Sequence, residues 1–204
     1  GYIILDTAEY AAAYSHLHRI TNTILDGGEV FYKDEFPWRT RIIYDDSTLN
    51  AFCTPGGYIY VFTGLIHYLD SEDQLAGVMG HEIAHADRRH STDQLTKQYG
   101  ITLVLKAALG QESALAQVGA GLLLLKYGRA AESEADEYSV KYLCPTDYNA
   151  AGGAGFFEKI EAAGGSSTPE FLSTHPDPGD RITTFYSWQD TLGCTGTDLN
   201  IDLY

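Results

Sequence analysis

The five residues His81-Glu82-Ile83-Ala84-His85 constrain this chain more than any other stretch. Residues four apart share one face of a helix, so a helical segment brings both imidazoles to a single metal ion. Glu82 follows the first histidine directly and can approach a water on that metal, which suits a catalytic zinc site. So short a pattern also arises by chance on charged surface helices. The context argues against chance. The preceding run, Asp73-Gln74-Leu75-Ala76-Gly77-Val78-Met79-Gly80, is apolar enough to be buried, and Ser71 with Gln74 three residues on is a capping-box start. The motif helix is predicted to begin near Glu72 and to run to about Tyr99.

The flanking sequence predicts an α+β chain, mostly helical, with a small, mainly antiparallel sheet beside the motif helix. A helix is expected from about Asp6 to Leu25, ended by Asp26-Gly27-Gly28. Residues 41–44, 50–53 and 58–63 read as three short strands, the last two joined by the turn Thr54-Pro55-Gly56-Gly57. Helices follow over 101–109, 112–127 and 129–143, and Asn149 can cap another to about Ala162. Gly164-Gly165-Ser166-Ser167 reads as a flexible loop, and Asp177-Pro178 as the N-cap and first turn of a last helix to about Leu192. The length suits one domain over 1–204.

A formal charge of −15 argues against nucleic acid or anionic membrane surfaces as electrostatic partners. The two most apolar stretches, 101–109 and 114–125, are far short of the ~20 residues that a spanning helix needs. Three cysteines, Cys53, Cys144 and Cys194, form no C-x-x-C pair, so a thiolate zinc site is not expected. Cys53 reads as a buried small hydrophobe. Cys144 and Cys194 lie beside turn residues and could pair in an exported protein.

Two histidines need a third protein ligand, with the fourth position left to water. His16 and His18 are two apart and do not share a helix face, His67 reads as a loop or helix-start residue, and His90 is half a turn out of phase with His81 on an ideal helix and should point away. The acidic run Glu132-Ser133-Glu134-Ala135-Asp136 is the best source. Glu132 and Asp136 are four apart, so one can bind metal while the other accepts the spare imidazole N–H of a ligating histidine. The small residues Ala130, Ala131 and Ala135 permit close approach to another helix. The residues alone leave Glu132 and Glu134 as alternatives, and a solvated acidic face as the bland reading.

Several spaced elements resemble the HtpX/BepA-type zinc metallopeptidases, a family of gluzincins that also includes prenyl-protein endoproteases and a mitochondrial inner-membrane protease. They are Asn50-Ala51-Phe52, Pro55-Gly56-Gly57-Tyr58-Ile59-Tyr60-Val61, His81 to His85 with Arg89-His90, Glu132 to Asp136, and His175-Pro176 with Arg181-Ile182, in the family's order. The likeness is nearest to the soluble, exported bacterial branch. It implies one Zn2+ per chain, held by His81, His85 and Glu132, with Asp136 behind a ligating histidine. It implies Glu82 as general base and His175 or Arg181 as stabiliser of the oxyanion. It also implies that the His175-Pro176 loop can act as a latch, His175 taking the open fourth position on zinc. The strand holding Tyr58, Ile59 and Tyr60 is expected to bind an extended substrate by β-augmentation. The implied activity is endoproteolysis of unfolded or misfolded polypeptides in the periplasm or cell envelope, alongside membrane-associated partners. A metal-binding, chaperone-like module with little proteolytic activity is the alternative, which an intact Glu82 disfavours.

Overall fold

β-Branched and aromatic residues of Tyr58–Phe62 form the central strand, β4, of a four-stranded sheet in the computed structural model, which describes residues 2–163, 170–176 and 179–200. The chain enters it through Gly56 and Gly57, at φ +90° and +76°, a conformation that costs glycine little. On Gly57 a Cβ would also lie 2.8 Å from the Trp38 ring. The other strands are β1 (Ile3–Ile4), β2 (Arg39–Tyr44) and β3 (Ala51–Thr54), in the spatial order β1-β2-β4-β3. β1 pairs with β2, and β3 with β4, antiparallel, whereas β2 and β4 run parallel with Arg41 opposite Tyr60. The sheet is therefore mixed, with two of its three pairings antiparallel, which agrees with the mainly antiparallel sheet expected. The link from β2 to β3 skips one strand position, and β4 returns to fill it.

This order corrects the substrate-strand expectation. β4 is hydrogen-bonded along both edges, so Tyr58, Ile59 and Tyr60 offer no free edge to an added strand. The outer strand on that side is β3. Alternation along the strands splits the sheet between two cores. Ile42, Cys53, Ile59 and Val61 join the larger core, and Ile43, Phe52, Tyr60 and Phe62 the smaller one on the other face.

Helix α1 (Ala11–Asp26) buries Tyr14, Leu17, Ile20, Ile24 and Leu25 at helical spacing against the larger core. It begins later than expected because Asp6 Oδ1 accepts from the amides of Ala8 and Glu9 and holds a separate turn. A short helix, α2 (Thr63–Tyr68), follows β4 and leaves His67 exposed. Helix α3 (Glu72–Asp87) carries the motif, and of its sixteen residues only Gln74 is not buried. Its start is not a true capping box: Gln74 Oε1 accepts from the Asp70 amide and Ser71 Oγ bonds Asp73. Close packing depends on Gly80, which faces α7 (Arg129–Leu143), and on Gly77, which faces the Gly152-Gly153 turn. A Cβ at Gly77 would lie 2.2 Å from the Gly153 nitrogen, and one at Gly80 2.9 Å from Ser139 Oγ. Ser139 Oγ donates to the Gly77 carbonyl at 2.7 Å.

The motif helix does not reach Tyr99. Arg89 takes a left-handed conformation (φ +67°), and α4 (His90–Tyr99) starts in a new direction. Such a turn costs a residue with a Cβ roughly 1–2 kcal/mol. Helices α5 (Ile101–Ala108) and α6 (Glu112–Leu122) cover the smaller core. α6 stops before Tyr127, whose amide donates instead to the Thr174 carbonyl at 3.1 Å. The remaining helices are α8 (Ala154–Ala162), α9 (Glu170–Thr174) and α10 (Arg181–Leu192). The Gly164–Ser167 loop and the Asp177-Pro178 cap lie outside the described residues. The residue that caps α10 is Asp180, which accepts from the Thr183 amide at 3.0 Å. Cys144 and Cys194 form a disulfide, and Cys53 is a buried free thiol. Among the described residues no helix is long and apolar enough to cross a membrane.

Candidate metal centre

One turn of α3 places His81 and His85 on the same side, with Nε2 atoms 3.0 Å apart. From α7, Glu132 turns its carboxylate to both, Oε2 at 3.4 Å from His81 and Oε1 at 3.4 Å from His85. His175, just after α9, brings Nδ1 to 3.3 Å from His81 Nε2 and 3.1 Å from Glu132 Oε1. All four side chains are buried. Four donors around zinc at about 2.0–2.1 Å form a tetrahedron with edges of roughly 3.3–3.4 Å. The observed separations fit that cage. Two buried carboxylate oxygens beside the cage, Glu82 Oε1 and Glu132 Oε2, have no hydrogen bond, and a bound cation would give them a partner.

The outer atoms of the histidines set their tautomers. His81 Nδ1 lies 2.9 Å from Asp136 Oδ1, so its N–H donates there and Nε2 keeps its lone pair for the metal. His85 Nδ1 lies 3.1 Å from His90 Nδ1, and His90 Nε2 lies 3.3 Å from Glu134 Oε2. The consistent assignment has His85 donating to His90 and His90 donating to Glu134. Arg88 Nε in turn donates to Glu134 at 2.9 Å. His90 thus does not point away. The left-handed turn at Arg89 folds it back onto His85, which an unbroken helix would not do. Glu134 is spent on Arg88 and His90, half exposed and off the cage.

Arg181, the first residue of α10, is buried over the Phe157 ring and donates from Nε to Asp136 Oδ2 at 2.8 Å and from Nη2 to Asp136 Oδ1. Its Nη1 has no hydrogen bond and lies 3.4 Å from Glu132 Oε2. His175 is stacked on Phe171 at 4.3 Å and faces Tyr127 at 5.3 Å. Its Nε2 points toward Glu82 Oε1 at 3.5 Å. Tyr127 also stacks on His85 at 3.9 Å. Because Ser91 Oγ donates its one proton to the Cys53 carbonyl, the Tyr127 hydroxyl donates to Ser91.

Electrostatics follow from burial and these partners. Burial raises the Glu82 pKa. It pushes His85 well below the ordinary imidazole value. Burial opposes charge on His81 too, but hydrogen bonds to Asp136 and Glu132 outweigh it and set that pKa at about 9. Glu132 is held far below the carboxylate range despite its burial, because His175, His81 and His85 all favour its anion.

The sequence profile of peptidase family M48 matches residues 12–189, nearly the whole chain. The chain belongs to peptidase family M48. M48 peptidases use zinc, and the four buried donors suit it. The chain is 32% identical over 141 residues to the mitochondrial metalloendopeptidase OMA1 of Arabidopsis thaliana, covering 68% of this chain and 29% of that protein. It is 31% identical over 162 residues to the β-barrel assembly-enhancing protease of Escherichia coli, covering 72% of this chain and 33% of that protein. With the metalloprotease YcaL of the same organism it shares 26% over 183 residues, 86% of this chain and 68% of that one. The chain thus spans about a third of the length of the first two.

Of the residues singled out in the sequence, His81, Glu82, His85, Glu132, Asp136, His175 and Arg181 converge on one buried point. Tyr58, Ile59 and Tyr60 do not reach it. The sequence reading passed over Tyr127, which no local pattern marks, and misplaced His90, whose direction depends on the turn at Arg89.

Proposed function

We propose that this M48 chain is a zinc-dependent metalloendopeptidase that cleaves unfolded or misfolded polypeptides and rests in a form latched by His175. The observation that carries this reading is the closed four-donor cage with Glu82 buried at its side. His81, His85 and Glu132 would hold the zinc ion, which would supply Lewis acidity and lower the pKa of a bound water. Glu82 takes the water proton as general base and later delivers it to the leaving amine. Asp136, accepting from His81 and clamped by Arg181, orients the first ligand. In the latched form His175 Nδ1 would be the fourth donor to the metal while its Nε2 faces Glu82, so one side chain would block both water and base. Lifting the segment after α9 frees both. His175, or Nη1 of Arg181, is then the donor available to the developing oxyanion.

β4 is closed on both edges, and on buried β3 the Ala51 amide and Cys53 carbonyl are taken by Asn50 Oδ1 and Ser91 Oγ, so the reading does not rest on strand addition. The Cys144–Cys194 disulfide supports an exported protein, because such bonds persist in oxidising compartments. With a relative named for enhancing β-barrel assembly, it favours a place in the cell envelope beside membrane-associated partners.

The test is cleavage of unfolded casein by wild type, Glu82→Gln and His175→Ala, with and without chelator. Glu82→Gln should retain one zinc per chain and lose turnover, while His81→Ala should lose the metal. His175→Ala should retain zinc and change the rate. Full chelator-sensitive activity in Glu82→Gln would overturn the mechanism, and a wild-type rate in His175→Ala would overturn the latch.

A further inference from the structure

The sheet face turned away from the metal centre is only partly roofed. α5 and α6 cover the β3–β4 half and leave a groove of about 780 Å³ that extends over β2. Its floor is a cross-strand ladder in which Arg39 lies beside Tyr58 and Arg41 beside Tyr60. One wall is the small-residue side of α6, including Ala120, and the lip is Leu109, 79% exposed. We infer that this groove binds a long-chain carboxylate, with the acyl chain along α6 and the headgroup on Arg39 and Arg41.

Three observations carry this. First, the chain has 28 acidic residues against 13 basic ones, yet among the described residues neither arginine makes an ion pair. Arg41 Nη1 donates only to the Thr40 carbonyl, at 3.1 Å. Glu112 is the one acid in the lining, and it too forms no ion pair there. Two arginines without ion pairs, on the strand beside Tyr58 and Tyr60, suit a ligand carboxylate through charge-assisted hydrogen bonds. Second, the volume falls within the range of small-molecule sites, roughly 300–1,000 Å³, and the rest of the lining is largely aromatic and aliphatic. Third, the strands under the groove, β2 and β4, are each paired with a strand on both sides. β4 is bonded along both edges and α6 bonds its own carbonyls, so a peptide lying there would bury its amides without partners. An acyl chain has no such groups to satisfy. The site does not depend on the peptidase reading.

The test uses the whole chain and the fluorescent carboxylate cis-parinarate, displaced by oleate or by oleyl alcohol. Oleate should compete at least about tenfold better than the alcohol, as two charge-assisted bonds imply. The double variant Arg39→Gln/Arg41→Gln should weaken oleate about tenfold and leave the alcohol unchanged. Ala120→Trp, which fills the groove from its wall, should abolish binding of the fluorophore. Wild-type far-UV circular dichroism and thermal unfolding of the same variants report that they fold. Equal competition by oleate and the alcohol, or full binding to Ala120→Trp, would overturn the proposal. Displacement by an apolar peptide but not by oleate would also overturn it and make the groove a peptide site.

Discussion

Replacing Asp136 with alanine should damage stability and metal binding by separable amounts. The carboxylate is buried, accepts from Arg181 Nε and Nη2, and accepts from His81 Nδ1 at 2.9 Å. Removing one partner of a buried ion pair costs about 3–5 kcal/mol, because the other charge is left uncompensated. Arg181 keeps Glu132 Oε2 at 3.4 Å, which argues for the lower end, about 3 kcal/mol in metal-free protein. With a urea m-value near 3 kcal/mol/M, the midpoint should fall by roughly 1 M. Zinc affinity should fall ~10–100-fold as well, since His81 loses the acceptor that orients its ring. The double variant Asp136→Leu/Arg181→Met removes both charges. It should recover stability to within about 1 kcal/mol of wild type, as apolar replacement of buried pairs often does, yet keep the full loss of zinc affinity. Urea unfolding in chelator measures the first quantity, and zinc titration against a competing indicator the second. An unchanged midpoint in Asp136→Ala would refute the pairing argument. Wild-type zinc affinity in the double variant would refute the orienting role.

Glu132→Ala should lose zinc in the same titration while Glu134→Ala binds it nearly as wild type, because Glu134 faces Arg88 and His90 rather than the cage; the reverse order would reassign the third ligand. His90→Ala should weaken zinc ~10–100-fold by leaving the His85 Nδ1–H without its acceptor, and an unchanged affinity would remove His90 from the site. Replacing Cys144 and Cys194 with serine opens a loop of 50 residues, for which chain entropy predicts a loss of about 4 kcal/mol; thermal unfolding in chelator checks it, and a shift of under ~1 kcal/mol would mean that the reduced chain is already constrained there.

Local spacing in the sequence determined the motif helix, the approximate positions of three strands, and the acidic helix that completes the cage. These features rest on residues a few positions apart, where helix and strand periods act directly. The tertiary structure decided the rest. Asp6 captures a separate turn and delays α1, and Arg89 adopts a left-handed backbone that no residue preference predicts. Through that turn His90 reaches His85. β4 is interior rather than an edge because β3 pairs beyond it, and alternation along a strand is the same in either place. Glu132 meets His81, and His175 meets both, across separations of 43 to 94 residues. Burial sets the pKa of Glu82, and packing between Phe171 and Tyr127 sets the ring of His175. Periodicity has no reach over such distances. The close approach of α3 and α7, permitted by the missing side chain at Gly80, and the segment after α9 bring the donors within 4.8 Å of one another.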